Sequence, residues 1–61
     1  MAQITEKELS AISDLLTIEQ NLVQKYKSCA LATTDTALKN QYEQIAARHQ
    51  RHYDELYANL K

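Results

Sequence analysis

Apolar residues recur along the first half of the chain in alternating steps of three and four, interrupted at Glu19. Two such lines share one side of the segment: Leu9, Ile12, Leu16, Val23, Tyr26 and Ala30, with Leu15, Leu22 and Cys29 beside them. This spacing is typical of a long amphipathic helix. Thr5 and Glu8, three residues apart at the start of the pattern, form a capping box. The sequence therefore predicts a first helix over about residues 5–32.

A second apolar line begins after the polar stretch Thr33–Thr36, which contains three threonines and Asp35. Threonine and aspartate favour caps and turns over helix interiors, and Asp35 is a suitable N-cap. The apolar residues beyond it again follow helical spacing: Leu38, Tyr42, Ile45, Ala46, Tyr53, Leu56 and Leu60. We predict a turn at about 33–35 and a second helix at about 36–60, within a single unit spanning residues 1–61.

Two long helices joined by so short a turn fold back antiparallel, so the predicted class is an all-α helical hairpin. A hairpin covers only part of each apolar face, and a large uncovered apolar strip is unusual on a monomeric protein in water. We therefore expect a homodimer in which two hairpins form an antiparallel four-helix bundle. A module that presents its helices to a larger, different partner is an alternative that meets the same need.

Composition then narrows the classes of function. The 61 residues include no Gly, no Pro and one Cys, and the net charge is −1. Glycine-rich phosphate loops and internal disulfides are thereby excluded, and Cys29 is expected to pack as a small hydrophobe. Cations are scattered among acids, so no nucleic-acid partner is predicted, and no apolar run reaches the ~20 residues of a membrane span. Since no nucleophile–base set appears, we expect a non-enzymatic protein of the cytoplasm.

Position 34 divides the predicted hairpin, and residues at equal distance from it are expected at the same height. Glu19 lies fifteen residues before this position and His49 fifteen after it, so the gaps in the two apolar lines coincide, and Tyr26 meets Tyr42. A buried carboxylate needs a partner. One interpretation is a layer of Glu–His hydrogen bonds that fixes the register of the helices. A second is a metal site built from two copies of Glu19 and His49 in the dimer, and a turn shifted by one residue would remove both.

His52 is a further candidate ligand. His49, His52 and Glu55 follow at spacings of three, which place them on one helix face, where they could chelate a metal. A position for His52 beside Leu16, at the flank of the apolar face, is the plainer interpretation. We take Glu19, His49 and His52 as candidate metal ligands for a single divalent ion such as zinc, manganese or iron. No catalytic residue and no other cofactor is predicted.

One stretch of the second helix, His49-Gln50-Arg51-His52-Tyr53, precedes a leucine-rich end, while Glu19-Gln20 falls midway along the first helix. Together with Asp35 and Leu38-Lys39 near the turn, this pattern resembles the short spore-coat-type proteins of spore-forming bacteria, relatives of the coat F family. The resemblance extends from about residue 8 to residue 60. It implies half of a ferritin-like bundle with a structural role, in the spore coat and among other coat proteins.

Ferritin-like metal proteins place one Glu on a first helix and Glu-x-x-His on the next. Glu19 and His49 match the first Glu and the His, but the position of the second Glu holds Ala46. The resemblance therefore implies an assembly protein rather than ferroxidase chemistry. It leaves, as the alternative, a metal-binding protein that holds one ion across the dimer through Glu19 and His49.

Overall fold

The computed structural model describes residues 4–60, and two packed α-helices account for most of them. Helix α1 spans Glu6–Ala32, 27 residues, and helix α2 spans Thr36–Ala58, 23 residues. Residues 33–35 join the helices, and no strand occurs within residues 4–60. The predicted all-α hairpin is confirmed. Helix α1 begins one residue later than expected, because Thr5 is its N-cap, and α2 ends at Ala58 rather than at 60.

Both helix starts are closed by the side chains that the sequence singled out. Thr5 Oγ1 accepts a hydrogen bond from the Glu8 amide at 3.1 Å, and Glu8 Oε1 accepts one from the Thr5 amide at 3.4 Å. At the start of α2, Asp35 Oδ1 accepts from the Leu38 amide at 2.9 Å. Thr33 Oγ1 accepts from the Asp35 amide at 3.1 Å, which holds the connection between the helices. The capping box and the Asp35 N-cap are therefore confirmed.

The hairpin is a single layer of two helices. Its Cα atoms extend over 47 × 16 × 10 Å, so each helix has a neighbour on one side only. Within the described residues, the buried apolar residues are Val23, Ala30 and Ala46, and none is less than 2% exposed. Packing of apolar surface supplies most of the stability of protein helices. This hairpin consequently has little core of its own.

Many large apolar side chains remain exposed: Leu9, Leu15, Ile18, Leu31, Leu38 and Tyr57. The sequence pattern placed Leu9, Leu15 and Leu38 on the inner faces of the helices, yet they are 48%, 46% and 37% exposed. The reason is geometric, since a helix touches a single neighbour along a narrow strip only. Neither described helix is both long enough and apolar enough to cross a membrane.

One broad side of the hairpin carries two apolar rows that flank a shared groove. Residues three, four, seven or eleven apart lie on the same side of a helix. The rows obey this spacing, and we name them together the apolar face: Leu15, Ile18 and Leu22 on α1, with Leu38, Ile45 and Leu56 on α2. Leu15 and Leu56 line one groove, so the two rows border the same side of the molecule.

Candidate functional site

Glu19 and two histidines meet near the middle of the hairpin. Nδ1 of His49 lies 2.6 Å from Oε1 of Glu19, and Nδ1 of His52 lies 3.1 Å from Oε2. One carboxylate therefore joins both imidazoles, with each oxygen facing one ring. The meeting of Glu19 and His49 that the level count predicts is confirmed. We refer to these three residues as the Glu–His cluster.

The count from the turn alone did not indicate a contact between His52 and Glu19. The count from the turn placed His52 opposite Leu16, whereas its ring nitrogen contacts Glu19. Three residues along a helix correspond to a rise of about 4.5 Å, which a glutamate and a histidine side chain can span together. The spacing of His49 and His52 was the signal for this pairing, because it places both rings on the side of α2 that faces Glu19.

The chelating triplet of His49, His52 and Glu55 does not form. Glu55 is exposed, and among the described residues the donor atoms that converge belong to Glu19, His49 and His52. Carboxylate and imidazole therefore come together from two helices rather than from α2 alone. Cys29 is partly buried near the turn and is not among these donors.

Burial is graded across the Glu–His cluster. The side chain of Glu19 is 15% exposed, that of His49 22% and that of His52 43%. Partial burial strengthens the electrostatic interaction between the carboxylate and the His49 ring, since less water screens it. The contact with His52 lies nearer to solvent and is correspondingly weaker. The cluster can act as a register-fixing polar layer, with Glu19 and His49 as its central pair.

Aromatic rings extend the cluster toward the turn. The Tyr26 ring stacks with the His49 ring at 6.2 Å between centroids and 11° between planes, and Tyr26 meets Tyr42 at 6.0 Å. His52 approaches His49 edge-on, with centroids 5.5 Å apart. Such contacts restrict the ring plane of His49 and so hold its Nδ1 toward Glu19. The predicted meeting of Tyr26 and Tyr42 is confirmed.

The geometry of the three donors is compatible with a bound cation. One donor atom from each of Glu19, His49 and His52 lies within 4.8 Å of the others. The 2.6 and 3.1 Å separations between nitrogen and oxygen are hydrogen-bond distances. Ligands at ordinary zinc distances are about 3.4 Å apart in a tetrahedron, so a bound ion would replace these hydrogen bonds and move the donor atoms slightly apart. Imidazole suits zinc and iron, and carboxylate suits manganese. The role of these residues as metal ligands remains a prediction.

No protein-family model matches the chain, and no match was found among curated proteins or solved structures. The resemblance to short spore-coat proteins therefore rests on the residues that carry it, chiefly His49–Tyr53, and remains a prediction.

Proposed function

We propose that this chain is a non-enzymatic assembly module, and that two copies pair through the apolar face to form a four-helix bundle. The observation that carries the proposal is the exposure of that face. Leu15, Ile18 and Leu38 are 46%, 53% and 37% exposed, on a hairpin whose described residues bury only three apolar side chains. A monomer of this size rarely draws more than ~3–5 kcal/mol from its core, so further burial is needed for stability.

A second copy suits this face better than water does. The α1 row repeats in steps of three and four and the α2 row in steps of seven and eleven, which keep the apolar side chains on one side of each helix for packing in a bundle. Grooves elsewhere on the hairpin combine alanines and Leu31 with the long charged or polar side chains of Lys27, Lys39, Glu43 and Gln50. Those side chains can reach solvent at their ends while the apolar face is covered. Each square ångström of apolar surface so buried contributes about 25 cal/mol.

The pairing is tested with two matched substitutions on α1. Ile18 belongs to the apolar face, whereas Leu31 is 83% exposed and lies in a groove with Lys27 and Lys39. We expect sedimentation equilibrium to give the mass of two chains for the wild type and for Leu31→Gln, and a weakened dimer for Ile18→Gln. A fully helical, stable monomer at micromolar concentration would contradict the proposal.

A place in the spore coat is the more specific form of this proposal, and it is supported only by the resemblance of His49–Tyr53. It is tested by probing purified coat from spores of the organism that encodes the chain. Detection of the protein in the coat fraction would support the location. Its absence from the coat, with presence elsewhere in the cell, would leave the assembly role and remove the coat role.

Divalent-cation binding is a second candidate function, and the convergence of donors from Glu19, His49 and His52 favours it. The test is elemental analysis of protein purified without an affinity tag, together with melting curves in Zn²⁺, Mn²⁺ or Fe²⁺. A ligand that binds the folded form alone raises its stability, by about 2.7 kcal/mol at a hundred times its Kd. We expect Glu19→Gln to abolish this shift and Gln50→Ala to retain it. No bound metal and no shift would contradict cation binding.

A further inference from the structure

We infer that a divalent cation bound by the Glu–His cluster is shared between two copies of the chain, so that cation binding strengthens their pairing. This inference rests on the proposed pairing through the apolar face. It adds what that proposal lacks, a chemical signal that controls assembly.

One copy of the chain supplies too few ligands to complete the coordination of a divalent ion. Glu19, His49 and His52 supply one donor atom each within 4.8 Å, which makes three donors from one copy. Zinc takes four ligands in structural sites, and manganese commonly takes six. A single hairpin therefore leaves coordination positions open. An ion on the two-fold axis of a pair would take equal numbers of donors from both copies, two each for zinc or three each for six-coordinate manganese.

The Glu–His cluster opens toward the apolar face. Glu19 and His52 line the same groove as Leu15 and Leu56, which belong to the apolar face, and this groove has a volume of about 350 Å³. His52 is the most exposed member of the cluster, at 43%. A second copy that covers the apolar face therefore also covers the open side of the cluster, and displaces the water there.

The Glu–His cluster lies at the middle of helix α1. Helix α1 has 27 residues from Glu6 to Ala32, so Glu19 is its central residue, with thirteen on each side. In a two-fold pair with parallel hairpins, equivalent residues share a height. In a pair with opposed hairpins, only residues near the midpoint do so. Glu19 lies at that midpoint, so either arrangement brings the two clusters to the same level when the hairpins are aligned along their full length.

Pairing also brings two negatively charged carboxylates together. It would bring two Glu19 carboxylates near the same apolar interface, and like charges repel more strongly where water is excluded. The histidines satisfy the hydrogen bonds of each carboxylate, but when neutral they bring no charge to offset this repulsion. A divalent cation does, and it can accept donors from both copies. Because coupling is reciprocal, a cation that prefers the pair must strengthen the pair.

The experiment measures the dimer Kd of the full-length chain by sedimentation equilibrium, in EDTA and in excess Zn²⁺. We expect Zn²⁺ to lower the Kd roughly tenfold or more, within the usual range of coupling between sites. His52→Gln, which lacks one of the three donors, is expected to give the same Kd in Zn²⁺ as in EDTA. Gln50→Ala, one residue from His49 and exposed, is the matched control and should keep the response.

Two further measurements keep the test decisive. Circular dichroism establishes that each variant is helical, and Glu19→Gln serves as a second variant if His52→Gln is not. Ile18→Gln, with its weakened apolar face, should recover part of its pairing when Zn²⁺ is added.

The outcomes separate the inference from the proposed function. Zinc that binds without changing the Kd, zinc that does not bind, or zinc that drives assemblies larger than two chains would each overturn the inference and leave pairing intact. Absence of pairing in both buffers would overturn the proposed function, and the inference with it.

Discussion

Nδ1 of His49 lies 2.6 Å from Oε1 of Glu19, although thirty residues separate the two in the chain. Among the hydrogen bonds of residues 4–60, those that join the two helices through side chains both end on Glu19. Apolar and aromatic contacts are less directional than hydrogen bonds and tolerate sliding more readily. We therefore expect Glu19 to set the register of α1 against α2.

Removal of Glu19 should destabilise the hairpin more than removal of His52. We expect Glu19→Ala to lower the free energy of unfolding by about 2 kcal/mol, because it leaves the partly buried His49 ring without its partner. A double-mutant cycle should give a coupling of about 1 kcal/mol for Glu19 with His49, and less for Glu19 with His52, which is 43% exposed. Urea unfolding at one fixed protein concentration measures both. Equal couplings would contradict the ranking by burial, and the absence of any coupling would show that Glu19 does not set the register.

Ala46 is the least exposed of the buried apolar residues that the structure describes, at 3%. Ala46→Leu should push α1 and α2 apart and cost about 1–3 kcal/mol, since the added methyl groups have no space. Ala47→Leu is the matched control, because the same side chain is added one residue away at an exposed position of the same helix. Thermal melts by circular dichroism compare them. Similar melting temperatures for the two variants would contradict the tight approach at Ala46.

Asp35 is expected to stabilise α2 through the hydrogen bond that its carboxylate accepts from Leu38. Asp35→Ala should lower the free energy of unfolding by about 1 kcal/mol, the usual cost of a lost N-cap. Thr34→Ala, next to it, is the control, since the Thr34 side chain makes no hydrogen bond within residues 4–60. Chemical denaturation gives both values. A larger effect at Thr34 than at Asp35 would refute this account of the turn.

Cys29 offers a chemical probe of pairing. It follows Leu22 by seven residues, so it continues the α1 row of the apolar face, and its side chain is partly buried. Its alkylation by iodoacetamide should slow as the protein concentration rises through the dimer Kd. The rate in concentrated urea should not depend on protein concentration. A native rate equally independent of concentration would place Cys29 outside the interface.

The sequence was sufficient for the local features of this fold. The helix starts could be predicted from Thr5, Glu8 and Asp35, because capping depends on hydrogen bonds within three residues of the chain. The meeting of Glu19 with His49 also followed from counting, since two straight helices joined by a short turn keep equal distances at equal heights. These features need no knowledge of side-chain conformation.

The features that the sequence missed depend on the reach and direction of side chains. His52 reaches Glu19, which the count from the turn did not indicate, because two flexible side chains bridge a rise of about 4.5 Å along the helix. The apolar pattern also overstated burial, since Leu9 and Leu38 fit the inner lines and yet are exposed. A periodic pattern records which side of a helix is apolar, but it does not record how many neighbours will cover that side.

A layer one helix thick buries few apolar side chains, so the stability of such a chain in a cell depends on what covers its exposed side. If a second molecule covers the apolar face, folding and association occur together as one second-order reaction. The free energy of unfolding would then depend on the concentration of the protein, because every tenfold fall in concentration lowers it by about 1.4 kcal/mol. Dilution would act on this protein much as a denaturant acts on larger ones.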